Sequence, residues 1–143
     1  MIKEFQGEYR WLSNFWPVEI SYKGRVFKSV EHAYMSEKNT SDVWKDFCEN
    51  EVDPKIVNKM SRIITLCPDW DEVKVDIMNQ LTRVKYQNQE FSEKLLKTGT
   101  QKLVEGNYWG DVFWGVDNET GEGQNLFGKI LMEIREEIRN DEK

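Results

Sequence analysis

DWDEVKVDIMNQLTRVKYQNQEFSEKLLKTG, residues 69–99, is the stretch that sets the fold class. Trp70, Val73, Ile77, Leu81, Val84, Phe91 and Leu95 recur at helical spacing and trace one apolar stripe. Asp69 with Glu72 three residues on has the form of a capping box, and Thr98-Gly99 supplies the stop. The stripe outruns a typical globular helix, so a kink is expected near Asn88.

Helical signals continue on both sides. Ser29 can N-cap a helix reaching about Lys38, and Ser41 a second with Val43, Trp44, Phe47 and Cys48 on one face. Asp53-Pro54 is a cap followed by Pro at the first turn. Behind it Ile56, Val57, Met60, Ile63 and Ile64 keep helical spacing. A last helix starts near Asn125, buries Leu126, Phe127, Ile130, Leu131, Ile134 and Ile138, and ends in the charged tail NDEK, which should fray. Residues 18–28, VEISYKGRVFK, alternate around Lys23-Gly24 and read as a β-hairpin. The expected fold is α+β and predominantly helical, one domain over residues 1–143, with a small antiparallel element near the N-terminus.

Composition removes several function classes. The 143 residues carry a formal net charge of -6, which argues against a high-affinity nucleic-acid binder held by phosphate contacts. A small phosphorylated ligand needs only two or three placed Arg or Lys side chains. No run of 18 apolar residues suggests a membrane span, and the N-terminus has no signal-peptide pattern. Cys48 and Cys67 form no CxxC pair and read as reduced thiols of a cytoplasmic protein. With one histidine, His32, a zinc site lacks ligands, so no metal is expected. Neither a GxSxG elbow nor a P-loop occurs.

Three segments are not explained by packing. Glu8–Pro17 mixes aromatics and short polar groups without a period, so it is either a packed loop or a ligand loop using Arg10 or Asn14 on a sugar or phosphate. In Ser29–Lys38, a continuous helix would put Glu31 and Lys38 on one face, their Cα atoms about 10.5 Å apart. That gap holds a pentose between a general acid or base and an amine nucleophile, although two solvated charges would give the same pattern. His32 alone is more often structural than catalytic. The third segment sets Tyr108, Trp109, Phe113 and Trp114 among glycines, and Asp111 there suits either a ligand hydroxyl or an Asx-turn. Gly121–Asn125 precedes a helix start and could offer amides to an anion.

Taken in order, Leu12-Ser13-Asn14-Phe15, Glu31-His32 with Lys38, the Trp70–Lys85 helix, Leu103-Val104-Glu105, Tyr108-Trp109-Gly110-Asp111 and Asn125-Leu126-Phe127-Gly128 resemble the NADAR (YbiA-like) family over nearly the whole chain. Two places depart from its pattern. Ser61-Arg62 stands where a Gly-Arg pair is usual, and the run before the last helix, Gly121-Glu122-Gly123-Gln124-Asn125, lacks its lysine.

The resemblance implies an N-glycosidase without a cofactor, cleaving the C–N bond between a phosphoribose or ADP-ribose and an amine-bearing base. Ribosylamine intermediates of riboflavin synthesis and ADP-ribosylated guanine in nucleic acid are the two substrate classes implied. Lys38 would serve as a Schiff-base nucleophile, Glu31 as acid/base, and Asp111 at ribose hydroxyls or water. Direct water attack with Glu31 or Asp111 as base is the alternative. Trp109 would stack the base, and Arg10 and Arg62 would hold phosphate. The resemblance also draws in Asn14, Phe15, His32, Glu105, Tyr108, Gly110, Asn125 and Gly128 as substrate contacts. On this reading Glu31, Lys38, Trp109 and Asp111 surround one pentose. A non-catalytic ADP-ribose or nucleotide-binding module is the competing class. An interaction protein anchored on Phe113 and Trp114 is a third, and it requires an exposed apolar patch. Oligomeric state is not legible.

Overall fold

The computed structural model describes residues 1–142. A short 3-10 helix at Gly7–Leu12 comes first, where the aperiodic sequence suggests a loop. Then come β1 (Ile20–Tyr22), β2 (Arg25–Phe27), α1 (Val30–Ser36), α2 (Asp42–Asn50), α3 (Pro54–Met60), α4 (Trp70–Tyr86), α5 (Gln89–Lys97), β3 (Gly106–Asn107), β4 (Val116–Asp117) and α6 (Leu126–Asp141). The fold is the expected one: α+β, mostly helical, with the antiparallel pair near the N-terminus. Two compact units divide the chain: Asn14–Lys85, and Met1–Ser13 together with the chain from Tyr86 onward.

In the unit Asn14–Lys85, the hairpin pairs Ile20 with Phe27 and Tyr22 with Arg25. Its turn residues Lys23 and Gly24 both take positive φ, 50° and 79°, as a two-residue turn matched to strand twist requires. Arg25 ties the hairpin to α2 by meeting Asp42, Asp46 and Glu49 at 3.1, 2.7 and 2.9 Å. The expected caps are in place: Ser29 accepts from the His32 amide, Ser41 from Trp44, and Asp53 from Lys55.

Three expectations in this unit give way. The helix from Ser29 stops at Ser36, short of Lys38. The helix after Pro54 ends at Met60, and Ile63, which would have continued its face, is 76% exposed in the loop beyond. Val43 lies outside the buried face of α2, which is made by Trp44 and Cys48.

The stripe from Trp70 to Leu95 is two helices. The chain breaks at Gln87-Asn88, and Asn88 turns from interior residue to N-cap, its side chain accepting from the Glu90 amide at 2.9 Å.

In the other unit, Ile2 bridges Leu103, with Val104 N–H donating to the Ile2 carbonyl at 2.9 Å. β3 and β4 pair in parallel. Phe5 meets Phe127 edge to face at 6.0 Å. Buried Arg135 donates to Thr98 Oγ1 at 2.9 Å and Arg139 to the Gly99 carbonyl at 2.6 Å, so α6 holds the C-terminal end of α5. α6 itself continues through Asp141, so Asn140 and Asp141 of the NDEK tail are helical and Glu142 is the C-cap; Lys143 lies outside the described residues.

Candidate active site

α1 is only seven residues long, and all seven are buried. Glu31 is 7% exposed, so it is not the solvated surface charge that its sequence context also allowed. Lys38 follows the helix in a further turn, its amide donating to the Met35 carbonyl at 3.2 Å. The two-turn helical spacing therefore does not apply.

The loop after α3 closes the arrangement. Cys67 N–H donates to the Lys38 carbonyl, and Asn39 Nδ2 to the Thr65 carbonyl, both at 2.8 Å. These bonds bring the α3 terminus to the Lys38 side chain, whose Nζ donates to Ser61 Oγ at 3.3 Å and sits 5.9 Å from the Trp70 ring centroid. Asn58 joins the two ends: its Nδ2 donates to Glu31 Oε1 and its Oδ1 accepts from Arg62, each at 3.4 Å. Burial pushes the Lys38 amine below the ordinary lysine value; Glu31 pulls it back up, while Arg62 and Lys74 press it further down. Partial removal from water favours the neutral amine, the form that can attack a carbon.

Asn14 stands against the start of α1, its carbonyl accepting from the Glu31 amide at 3.0 Å. Its Nδ2 faces Met78 Sδ at 3.5 Å, a weak acceptor, and its Oδ1 is buried with no hydrogen-bond partner. A buried carboxamide with an unused end is what a ligand donor fills. Phe15, next to it, is 38% exposed.

His32, expected among the substrate contacts, is turned into the interior. It is 1% exposed, and its Nε2 lies 2.7 Å from the Glu51 carbonyl, which can only accept. That proton fixes the tautomer, so Nδ1 accepts from Ser29 Oγ at 2.6 Å. Both nitrogens tie α1 to its surroundings, and burial pushes the ring pKa down.

The remaining expected residues belong to the other unit. Asn125 and Gly128 pack against the backbone of Leu103. Asn125, at φ 52°, is 5% exposed; its Oδ1 accepts from the Glu105 amide at 3.0 Å and its Nδ2 donates to the Leu103 carbonyl at 2.9 Å. A Cβ on Gly128 would overlap that same Leu103 carbonyl oxygen. Glu105 is held through its backbone, and one carboxylate oxygen is buried.

The run before α6 does not present amides to an anion. The N–H groups of Gln124, Asn125, Leu126 and Phe127 donate to the carbonyls of Val112, Gly115, Phe113 and Trp114 at 2.7–3.2 Å. Asp111 makes the Asx-turn, with Oδ1 accepting from the amides of Phe113 and Trp114 at 3.1 and 2.9 Å. Tyr108 and Trp109 are each 70% exposed beside Gly110 (φ 81°), and Arg10 is exposed. Phe113 and Trp114 meet edge to face at 4.9 Å and are half-buried, so they do not form the open patch an interaction surface needs. Among the described residues, no group of three His, Cys, Asp or Glu is placed to hold a metal ion, and no helix is long and apolar enough to cross a membrane.

The sequence model described as the NADAR domain matches residues 2–139. The chain belongs to the NADAR family. The Escherichia coli N-glycosidase YbiA is 31% identical over 136 residues, covering 92% of this chain and 82% of that protein. An N-glycosidase of Nostoc punctiforme is 36% identical over 140 residues, covering 92% and 87%. A riboflavin biosynthesis protein of Vibrio vulnificus is 33% identical over 131 residues; the match takes in 90% of this chain but spans only 35% of that protein. The NMR structure of Escherichia coli YbiA superimposes with a TM-score of 0.84 at 27% identity, over 99% of this chain and 89% of that one. At family level this NADAR chain is a hydrolase of N-glycosyl bonds.

Sequence reasoning did not single out Asn58, Ser61 or Trp70 as neighbours of Lys38 and Glu31 in this NADAR chain. Trp70 counts as the first member of a core stripe, and nothing marks Asn58 as more than a helix-surface residue. Ser61-Arg62 does stand out, but only as a departure from the family's usual pair.

Proposed function

We propose that the chain hydrolyses the bond between C1 of a phosphate-bearing ribose and an exocyclic amine, with Lys38 as nucleophile and Glu31 as proton carrier. The observation that carries this reading is the Lys38 amine, partly buried over Trp70 and drawn below its ordinary pKa, in the same hydrogen-bonded cluster as Glu31.

An N-glycoside of an amine opens to an iminium at C1 as the ring oxygen takes up a proton. The Lys38 lone pair adds to C1. Glu31 then delivers a proton to the substrate nitrogen, the C1–N bond breaks, and the base leaves as a neutral amine while Lys38 holds the sugar as an imine. Water adds to C1, Glu31 takes its proton, and Lys38 departs as the free amine. The sum is one water consumed, one base and one aldose released.

Arg62 is the phosphate contact proposed within this unit, and the unfilled carboxamide of Asn14 takes a sugar N–H or O–H. The substrate is a ribosylamine carrying phosphate or ADP; the name of the Vibrio vulnificus relative and the resemblance favour trying riboflavin-pathway ribosylamines first. A panel of ribosylated amines, assayed for released base, tests the activity. Borohydride added during turnover should leave a sugar adduct on Lys38. Normal turnover with no adduct would assign direct water attack instead. Arg10, Tyr108, Trp109, Gly110 and Asp111 belong to the other unit, and single substitutions test each as a ligand contact.

A further inference from the structure

The geometry points to Ser61 as a positioning residue that aims the Lys38 amine, holding one of its N–H bonds while leaving its lone pair to the substrate. The inference rests on Lys38 being the nucleophile. Ser61 is 4% exposed and terminates α3. Its hydroxyl donates to the Asn58 carbonyl at 2.6 Å, and Lys38 Nζ donates to the same oxygen at 3.3 Å.

A serine hydroxyl has one proton and two lone pairs. Here the proton is committed to a carbonyl at the end of a helix, where no intrahelical amide remains to pair with it. The oxygen can therefore meet Lys38 only as an acceptor. A hydroxyl free to turn would donate to the neutral amine and mask the electrons that attack carbon. Asn58 governs both reacting groups, since its carbonyl fixes the Ser61 hydroxyl and its side chain holds Glu31. An acceptor beside the amine also favours the ammonium over the amine, opposing the effect of burial. Removing it makes Lys38 easier to deprotonate but worse aimed.

The probe is ribose 5-phosphate with cyanoborohydride. The amine lone pair adds to C1 of the open-chain aldehyde, the carbonyl oxygen departs as water, and hydride reduces the imine to a stable secondary amine. Peptide mass spectrometry reads labelling at Lys38 between about pH 6 and 10. For Ser61→Ala we expect a high-pH rate about three- to tenfold lower, with the midpoint moved down by about half a unit to one unit. Ser61→Thr, which keeps the hydroxyl, should recover both. Unchanged rate and midpoint in Ser61→Ala would overturn the inference. So would a slower rate that follows a loss of thermal stability with no shift in midpoint, because that is a helix cap and nothing more. Wild-type Lys38 labelling no faster than exposed lysines would instead remove the nucleophile itself, and this inference with it.

Discussion

Asn125 offers the clearest separation between a structural clasp and a ligand contact. Asn125→Ala removes two bonds, to the Glu105 amide at 3.0 Å and the Leu103 carbonyl at 2.9 Å. Each loss leaves a backbone group short of its partner, at about 1–2 kcal/mol, so the pair amounts to about 2–4 kcal/mol. Alanine is also poorer than asparagine at φ 52°, adding about 0.5–1 kcal/mol. The expected cost is about 2.5–5 kcal/mol, a large share of the ~5–15 kcal/mol that holds a domain together. Asn125→Gly keeps the backbone conformation and should lose only the bond term. Asn125→Asp keeps an acceptor for Glu105 but sets carboxylate oxygen against carbonyl oxygen at Leu103, and should be no better than alanine. Urea denaturation at constant m-value reads the differences. A cost below about 1 kcal/mol for the alanine variant, with base release lost, would refute the clasp and return Asn125 to the ligand.

Lys38→Ala should abolish base release, and Glu31→Gln should slow it about 10²–10⁴-fold, with circular dichroism unchanged in both; full activity in either variant removes that residue from the mechanism. His32 carries a pH signature. Its ring pKa is lowered in the fold, so the unfolded chain binds the extra proton, and stability is whole above about pH 6.5 and declines as pH drops from there. Urea midpoints measured down to about pH 5 should show the slope in wild type and less of it in His32→Gln. Cys48, buried with its thiol pushed up to about 12, should resist alkylation in the native state while Cys67 reacts; the opposite order would contradict the packing around α2.

Elements bounded by local chemistry were legible in the sequence. Ser29, Ser41 and Asp53-Pro54 each act on their nearest amides and Lys23-Gly24 sets a tight turn, so position along the chain is sufficient to read them; near Asn88 the sequence suggests a kink, and the structure makes it the N-cap of α5. α1 was harder. VEHAYMS carries a carboxylate, an imidazole and two hydroxyl groups, which is the composition of an outer face, yet the hairpin, α2 and α3 pack around it and bury every side chain. β3 and β4 are two residues each, too short for alternation to exist. Among site residues, Glu31 and Lys38 stood out because an acid and an amine seven apart suggest chemistry. Asn58 and Ser61 did not, since a helix-end hydroxyl acquires meaning only when a distant loop delivers an amine to it. Asn125, Gly128 and His32 carry the family likeness, but the Asn125 and His32 side chains bond to neighbouring groups of the chain, and Gly128 leaves room for the Leu103 carbonyl.

A helix with no face toward solvent has no neutral position for mutation to explore. Any change to Glu31's neighbours is felt first as a packing defect, so the carboxylate is inherited together with the interior that surrounds it. The segment after Met60 is different: beyond Arg62, the side chains of Ile63, Thr65 and Leu66 are exposed and can be exchanged cheaply. An engineer seeking a new leaving group should randomise those three positions and leave Arg62 and the seven residues of α1 untouched.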